Sequence, residues 1–164
     1  DVVSPAAYFG PDAKTYDSWA AAGANLTADQ VVADVRKGKD FAREGNSAAE
    51  IVGYAKSLGL GYVAYEGGQH IQPKGQAVAP YNPALAAAQY HPAMYDAYVD
   101  ILRLHRDMGC TLFCHFSSVG RQGTRWGSWG AKASYKEPNS ESPKMRALVD
   151  GNLNSPLGNK NQLK

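Results

Sequence analysis

The order of apolar runs along this chain constrains its fold more than any other feature. Three β-rich runs, at residues 2–9, 61–66 and 110–116, alternate with segments in which apolar residues recur at helical spacing. The turns from helix into strand are short, whereas the loops that follow the strands are long. This alternation predicts parallel βα units, and such folds place their ligand sites in the loops after the strands.

Capping signals define most of the expected helices. Thr27 begins a Thr-Ala-Asp-Gln capping pattern, Asn46 precedes a second helical segment, and Pro92 stands at the first position of a third. Helices are expected over about 28–44, 47–58, 84–90, 92–109 and 143–149. The segment 11–26 is predicted to be a long ordered loop, and the tail 151–164 is predicted to be loose.

Length and charge limit the classes of function. The 164 residues suit one domain, residues 1–164, and the 17 basic and 15 acidic side chains leave a net charge of +2. These charges form no basic stripe of the kind that binds phosphates, which argues against a nucleic-acid partner. No apolar run approaches the roughly 20 residues that a membrane-spanning helix needs.

Glu66 is the principal candidate for catalysis. It follows an apolar run and precedes Gly67 and Gly68, so we expect it at the last position of its strand, at the rim of the sheet. Alternation places Tyr62, Ala64 and Glu66 on one face. The alternative is an ordinary strand-terminal acid that bonds a neighbouring loop.

Aromatic residues gather around the same predicted rim. Tyr8 and Tyr65 lie near the ends of the first two strands, and Trp126 and Trp129 lie in the glycine-rich loop after the third. Flat aromatic rings stack on the apolar faces of sugars, which makes these four residues candidates for carbohydrate binding. The alternative is that they are core or interface aromatics, the reading we prefer for Phe113.

The histidines and cysteines show no metal-ligand spacing, and no cofactor or metal is expected. His70 and His115 follow the second and third strands and are predicted to make polar contacts in the cleft. His105 is expected at the surface of a helix. Cys110 and Cys114 lie about 13 Å apart along one strand, beyond disulfide reach, and are expected to be free core thiols.

Five segments together resemble the C-terminal part of bacterial (β/α)8-barrel glycoside hydrolases of the retaining clan, and related cellulose-binding proteins. They are DVVSPAAYF, YVAYEGGQH, GCTLFCHF, RWGSWG and SPKMRAL. The resemblance implies a partial barrel, a half-barrel-like unit of about three parallel βα units, with strands six to eight. It also implies that Glu66 is the nucleophile at the end of the seventh strand, that Trp126 or Trp129 is a sugar platform, and that the protein is secreted.

The resemblance leaves the general acid/base outside this chain, because in the family that glutamate ends the fourth strand. Retaining hydrolysis needs two carboxyl groups about 5 Å apart. Asp12 and Asp17 in the first long loop are the only nearby substitutes, since Glu44, Glu50, Glu137 and Glu141 fall on predicted helices or tail loops.

Three functions therefore remain open. The chain is part of a hydrolase of cellulose- or xylan-type β-glycans that needs its other half, a non-catalytic carbohydrate-binding module, or a structural half-barrel. The expected ligand is a plant polysaccharide or oligosaccharide. Three strands alone would leave Val3, Ala7, Tyr62 and Ala64 facing water, so we also expect a homo-oligomer, most simply a dimer, or a complementing half-barrel chain.

Overall fold

A small parallel sheet forms the centre of the fold. The computed structural model describes residues 1–42, 45–74 and 79–151. Its central strand is β3 (Gly61–Gln69), which pairs on one side with β1 (Val2–Val3) and β2 (Ala7–Phe9) and on the other with β4 (Cys110–His115). Every pairing is parallel, as the alternation of strands and helices predicts.

The predicted first strand is divided into β1 and β2. The interruption at residues 4–6 contains Pro5, which has no N–H to donate to a neighbouring strand. Both parts still pair with β3, Val2 opposite Gly61 and Ala7 opposite Gly67. Neighbouring strands in the sheet are thus also successive along the chain.

Six α-helices accompany the sheet. They are α1 (Ala13–Ala22), α2 (Ala28–Arg36), α3 (Ser47–Ser57), α4 (Asn82–Ala88), α5 (Pro92–Asp107) and α6 (Pro143–Asp150). The predicted caps are confirmed, because Thr27 forms a capping box with Gln30 and Asn46 accepts the N–H of Ala48. Among the described residues, no helix is both long and apolar enough to cross a membrane.

Two segments differ from the prediction. Residues 13–22 form α1 rather than a loop, with the Asp12 side chain as its N-cap and Tyr16 and Trp19 buried. α2 ends at Arg36 and is followed by a 3-10 turn, Lys39–Phe41, because Gly38 is extended. Glu44 and the tail 152–164 lie outside the described residues.

The helices cover one face of the sheet. Ala7, Tyr62 and Ala64, which we expected to face water, are buried with Val52 of α3 and Met108 in the apolar layer between the helices and the sheet. Val3 is half-buried against the same layer.

The other face of the sheet is not covered by the helices, and we call it the open face. It carries Tyr8, Tyr65, Leu112 and Cys114. Tyr65 and Leu112 are 56% and 55% exposed. We expected the face that carries Tyr62 and Ala64 to be exposed. The helices pack on that face, and the opposite face is the exposed one.

Two expectations for titratable side chains are also wrong. His105 is buried, with its Nδ1 2.6 Å from the Tyr62 hydroxyl, because it lies on the side of α5 that packs on the sheet. Cys110 is buried, but Cys114 is exposed on the open face; both thiols are free, as predicted.

Candidate functional site

Glu66 does not end its strand. β3 continues through Gly67 and Gly68 to Gln69. Between the pairs Ala64–Phe113 and Gly67–His115, β3 advances three residues while β4 advances two, which is a β-bulge. A bulge re-aims the side chains beside it. The simple alternation that put Glu66 beside Tyr62 and Ala64 therefore fails at this residue.

The bulge brings the Glu66 carboxylate to the hydroxyl of Tyr8. Tyr8 lies on the open face, because its neighbours Ala7 and Phe9 are both buried beneath the helices. Burial, then the charge of Glu66 and a hydrogen bond with its carboxylate, raise the pKa of Tyr8 to about 12. Tyr8 is consequently protonated at neutral pH, and its hydroxyl lies beside Glu66, which is half-buried.

Three further aromatic rings surround this pair. The Tyr8 ring centroid lies 5.9 Å from that of Trp129 and 5.5 Å from that of His70. His70 and Trp129 are 5.0 Å apart, and Phe116 is 5.9 Å from Trp129. Tyr8, His70, Phe116 and Trp129 therefore form one cluster at the carboxyl ends of the strands, which we call the rim cluster.

The double glycine allows this close packing. A Cβ on Gly67 would lie 2.6 Å from the Ala7 carbonyl oxygen. A Cβ on Gly68 would lie 2.9 Å from His115 Nε2, and Gly68 has φ +131°, which disfavours other residues. Neither position accepts a side chain without displacing its neighbours.

The loop after β4 carries Trp129 back to the end of the sheet. The Ser117 N–H donates to the Trp129 carbonyl (3.0 Å), and the Ala131 N–H donates to the Ser117 carbonyl (2.7 Å). Gln69 at the end of β3 donates to the Ser128 carbonyl at 2.7 Å. These bonds fix Trp129 relative to the last residues of both strands.

Comparison of the chain with models of protein families, with curated proteins and with solved structures finds no match.

Trp126 and Tyr65, two of the predicted aromatic site residues, lie outside the rim cluster. Trp126 is 58% exposed at the tip of the loop, with the Arg125 guanidinium 4.4 Å from its ring centroid. Tyr65 is exposed on the open face, close enough to Tyr8 to contribute to raising the pKa of that tyrosine. Both rings are exposed and can contact a ligand at the surface.

His115 lies beside the site with both ring nitrogens engaged. Its Nε2 is 3.0 Å from the Tyr98 hydroxyl, and its Nδ1 is 3.1 Å from the Ser117 carbonyl. Burial, with a smaller effect of Lys144, lowers the pKa of His115 to about 4. The neutral ring accepts from Tyr98 and donates to Ser117, and so joins α5 to the loop that carries Trp129.

The sequence analysis missed Asp40, which lies in the 3-10 turn after α2. Its Oδ2 accepts the N–H of Gly10 at 3.2 Å, and burial raises its pKa. Burial lowers the pKa of His70, and the negative charge of Asp40 opposes this effect. No local pattern marks Asp40, because only the tertiary fold brings this turn to the end of β2.

The suggested substitutes for a second carboxylate do not reach the cluster. Asp12 Oδ1 accepts the Thr15 N–H at 2.7 Å as the cap of α1, and Asp17 is exposed on that helix. Across the described part of the chain, no three or more His, Cys, Asp or Glu side chains gather closely enough to hold a metal ion.

Proposed function

We propose that this chain is a carbohydrate-active unit, the C-terminal part of a retaining glycoside hydrolase that acts on cellulose- or xylan-type β-glycans. The observation that supports this most directly is the half-buried Glu66 carboxylate beside Tyr8, whose ring packs in the cluster that contains Trp129. In this proposal β1 with β2, then β3 and β4, are strands six, seven and eight of a (β/α)8 barrel, and the open face is part of its interior.

The proposed mechanism uses Glu66 as the nucleophile. Its carboxylate attacks the anomeric carbon, the bond to the leaving oxygen breaks, and a covalent glycosyl-enzyme forms that water then hydrolyses. The Tyr8 hydroxyl lies beside Glu66 and orients its carboxylate. The acid that protonates the leaving oxygen would come from the strands that complete the barrel.

Trp129 and His70 supply the binding surface in this proposal. An indole ring offers a flat apolar surface for one face of a sugar ring, and its neighbour His70 offers a ring nitrogen for a hydroxyl group. The partner is then a plant polysaccharide or oligosaccharide, and an enzyme with such a substrate acts outside the cell.

A non-catalytic carbohydrate-binding module is the second candidate. It is favoured by one observation: the second half-buried carboxylate near the cluster, Asp40, already accepts the N–H of Gly10. A site with a single available carboxylate can bind a sugar but cannot complete the two-carboxylate reaction.

Covalent labelling tests the role of Glu66. A 2-fluoro glycoside with a dinitrophenolate leaving group needs no acid, so the chain alone should gain one glycosyl unit in its intact mass. Glu66→Gln should gain none, whereas Glu50→Gln, an exposed residue of α3, should be labelled like the wild type. Labelling of Glu66→Gln would disprove the assignment, and no labelling of the wild type would favour the binding module.

Ligand binding tests the proposed surface separately. Xylan or β-glucan oligosaccharides should quench tryptophan fluorescence with affinities on the order of micromolar to millimolar. Trp129→Ala should weaken binding more than Trp126→Ala, because Trp129 belongs to the rim cluster and Trp126 is at the loop tip. No response of the wild type to any plant glycan would favour the structural half-barrel.

A further inference from the structure

Lys144 is buried, which is unusual for a lysine. It is the second residue of α6 and is 1% exposed. Its Nζ donates to the Gln89 Oε1 at 2.8 Å and the Ser128 carbonyl at 2.9 Å, and the Gln122 Oε1, at 3.5 Å, accepts a third N–H when the amine is charged. All three acceptors are neutral oxygens, so no carboxylate among them offsets the loss of hydration.

Two ionisable groups act on Lys144 from the elements around it. Glu137, in the segment before α6, favours the charged amine. His115 of β4 faces it as a neutral ring. Burial has the largest effect and lowers the pKa of Lys144 from 10.5 to about 7.

Lys144 also contacts the loop that carries Trp129. The Ser128 carbonyl accepts from Lys144 and from Gln69, and the next residue is Trp129. Residues 117–131 thus cover the amine on the side of the rim cluster. If the Ser128–Ala131 part of this loop moves away, the amine loses an acceptor and becomes accessible to water.

We propose that Lys144 is a positioning residue that fixes Trp129 in the site and couples opening of the 117–131 loop to uptake of a proton. The inference rests on the proposed function only in giving Trp129 a ligand to contact.

The sign of the coupling follows from the two environments of the amine. Between pH 7 and 10.5 the amine is neutral under the closed loop and charged in water, so opening takes up a proton. Raising the pH in this range therefore disfavours opening, by up to about tenfold per pH unit. Below pH 7 the amine is charged in both states, and the dependence disappears.

Hydrogen exchange measures this without any ligand. The Ala131 and Lys132 N–H groups donate to Ser117 and Ser118, so their protection reports loop closure. Protection factors, which already remove the intrinsic effect of pH on exchange, should increase by up to about tenfold per unit from pH 7.5 to 9.5. The amides of α5 should be better protected, because they exchange only in larger openings, which also expose Lys144 and therefore share its pH dependence.

Two variants separate the amine from the rest of the loop. Lys144→Met should abolish the slope, and the Ser128 carbonyl keeps its bond from Gln69. Lys132→Met removes a lysine of the same region that is half-buried and bonds Asn139, and it should keep the slope. If Lys144→Met does not fold, Lys144→Gln serves the same comparison.

Three results would overturn the proposal. They are a flat wild-type profile, an unchanged slope without the Lys144 amine, and protection of Ala131 and Lys132 equal to that of α5, which would mean that the loop opens only on global unfolding. Because no sugar is present, these outcomes are independent of whether the site binds carbohydrate.

Discussion

Tyr62 and His105 form a buried pair between the sheet and α5. The hydroxyl of Tyr62 lies 2.6 Å from Nδ1 of His105, and burial lowers the pKa of His105 to about 4. The ring is therefore neutral at pH 7, and its Nδ1 accepts a hydrogen bond from the Tyr62 hydroxyl. A charged imidazolium would have no lone pair for this bond.

The first residue-scale prediction concerns acid stability. An unfolded histidine has a pKa near 6.5, so between pH 6.5 and 4 the unfolded chain binds protons that folded His105 and His115 do not. The free energy of unfolding should fall as the pH decreases through this range, by at most about 3 kcal/mol for each histidine.

Urea unfolding at several pH values between 7 and 4 checks this prediction. His105→Gln retains an acceptor for Tyr62 but cannot titrate, so its stability should fall by about half as much as that of the wild type over this range. An equal fall in both proteins would show that His105 does not contribute.

At the scale of single elements, some helices are marked by local capping residues and others are recognised only from the side chains that they bury. The caps at Thr27 and Asn46 depend on neighbouring residues alone, and each was predictable. Helix α1 was missed because its composition, rich in alanine and small polar residues, hides the burial of Tyr16 and Trp19. Those two side chains pack against each other, with ring centroids 5.4 Å apart.

Two glycine substitutions should have opposite effects. Gly68→Ala in β3 places a methyl group against His115 and Tyr98 at a positive φ, and should lower the free energy of unfolding by about 2 kcal/mol. Gly53→Ala in α3 meets no atom within 4 Å and should raise it by about 0.5–1 kcal/mol. Urea unfolding of both variants measures the difference, and a neutral Gly68→Ala would contradict the close packing described here.

At the scale of the whole molecule, the described residues leave one side of the sheet uncovered. Parallel sheets normally have both faces buried. Tyr65, Leu112 and Phe116 are 44–56% exposed here, and in the described chain β4 and the β1 and β2 segments each pair with β3 alone. These features favour association with a second copy or with a complementing half-barrel.

Light scattering at micromolar concentration tests self-association. The particle mass of the wild type should exceed the monomer mass of 17.6 kDa, and Leu112→Asp on the open face should reduce the particle mass to that of the monomer. Leu58→Asp, next to the end of α3 and 59% exposed, is the matched control and should associate like the wild type. A monomeric wild type would contradict the prediction, and a monomeric Leu58→Asp would place the interface elsewhere.

Much of the candidate site could be proposed from the sequence, but not its geometry. Glu66, Tyr8 and Trp129 could be named because aromatic residues and a lone carboxylate follow predicted strands. Asp40 and Lys144 could not, since neither belongs to a local pattern. Asp40 accepts from Gly10, 30 positions away, and Lys144 donates to Ser128, 16 positions away.

The sequence by itself determined the parallel order of strands and helices and most of the helix caps. It also determined that polar and aromatic residues follow the carboxyl ends of the strands. These features depend on short-range periodicity and turn chemistry. Only the tertiary structure decided which face the helices cover, where the β3 bulge turns Glu66 toward Tyr8, and which lysine and histidines lose their hydration. These properties depend on how distant segments pack, and burial acts on a titratable group only after that packing has excluded water.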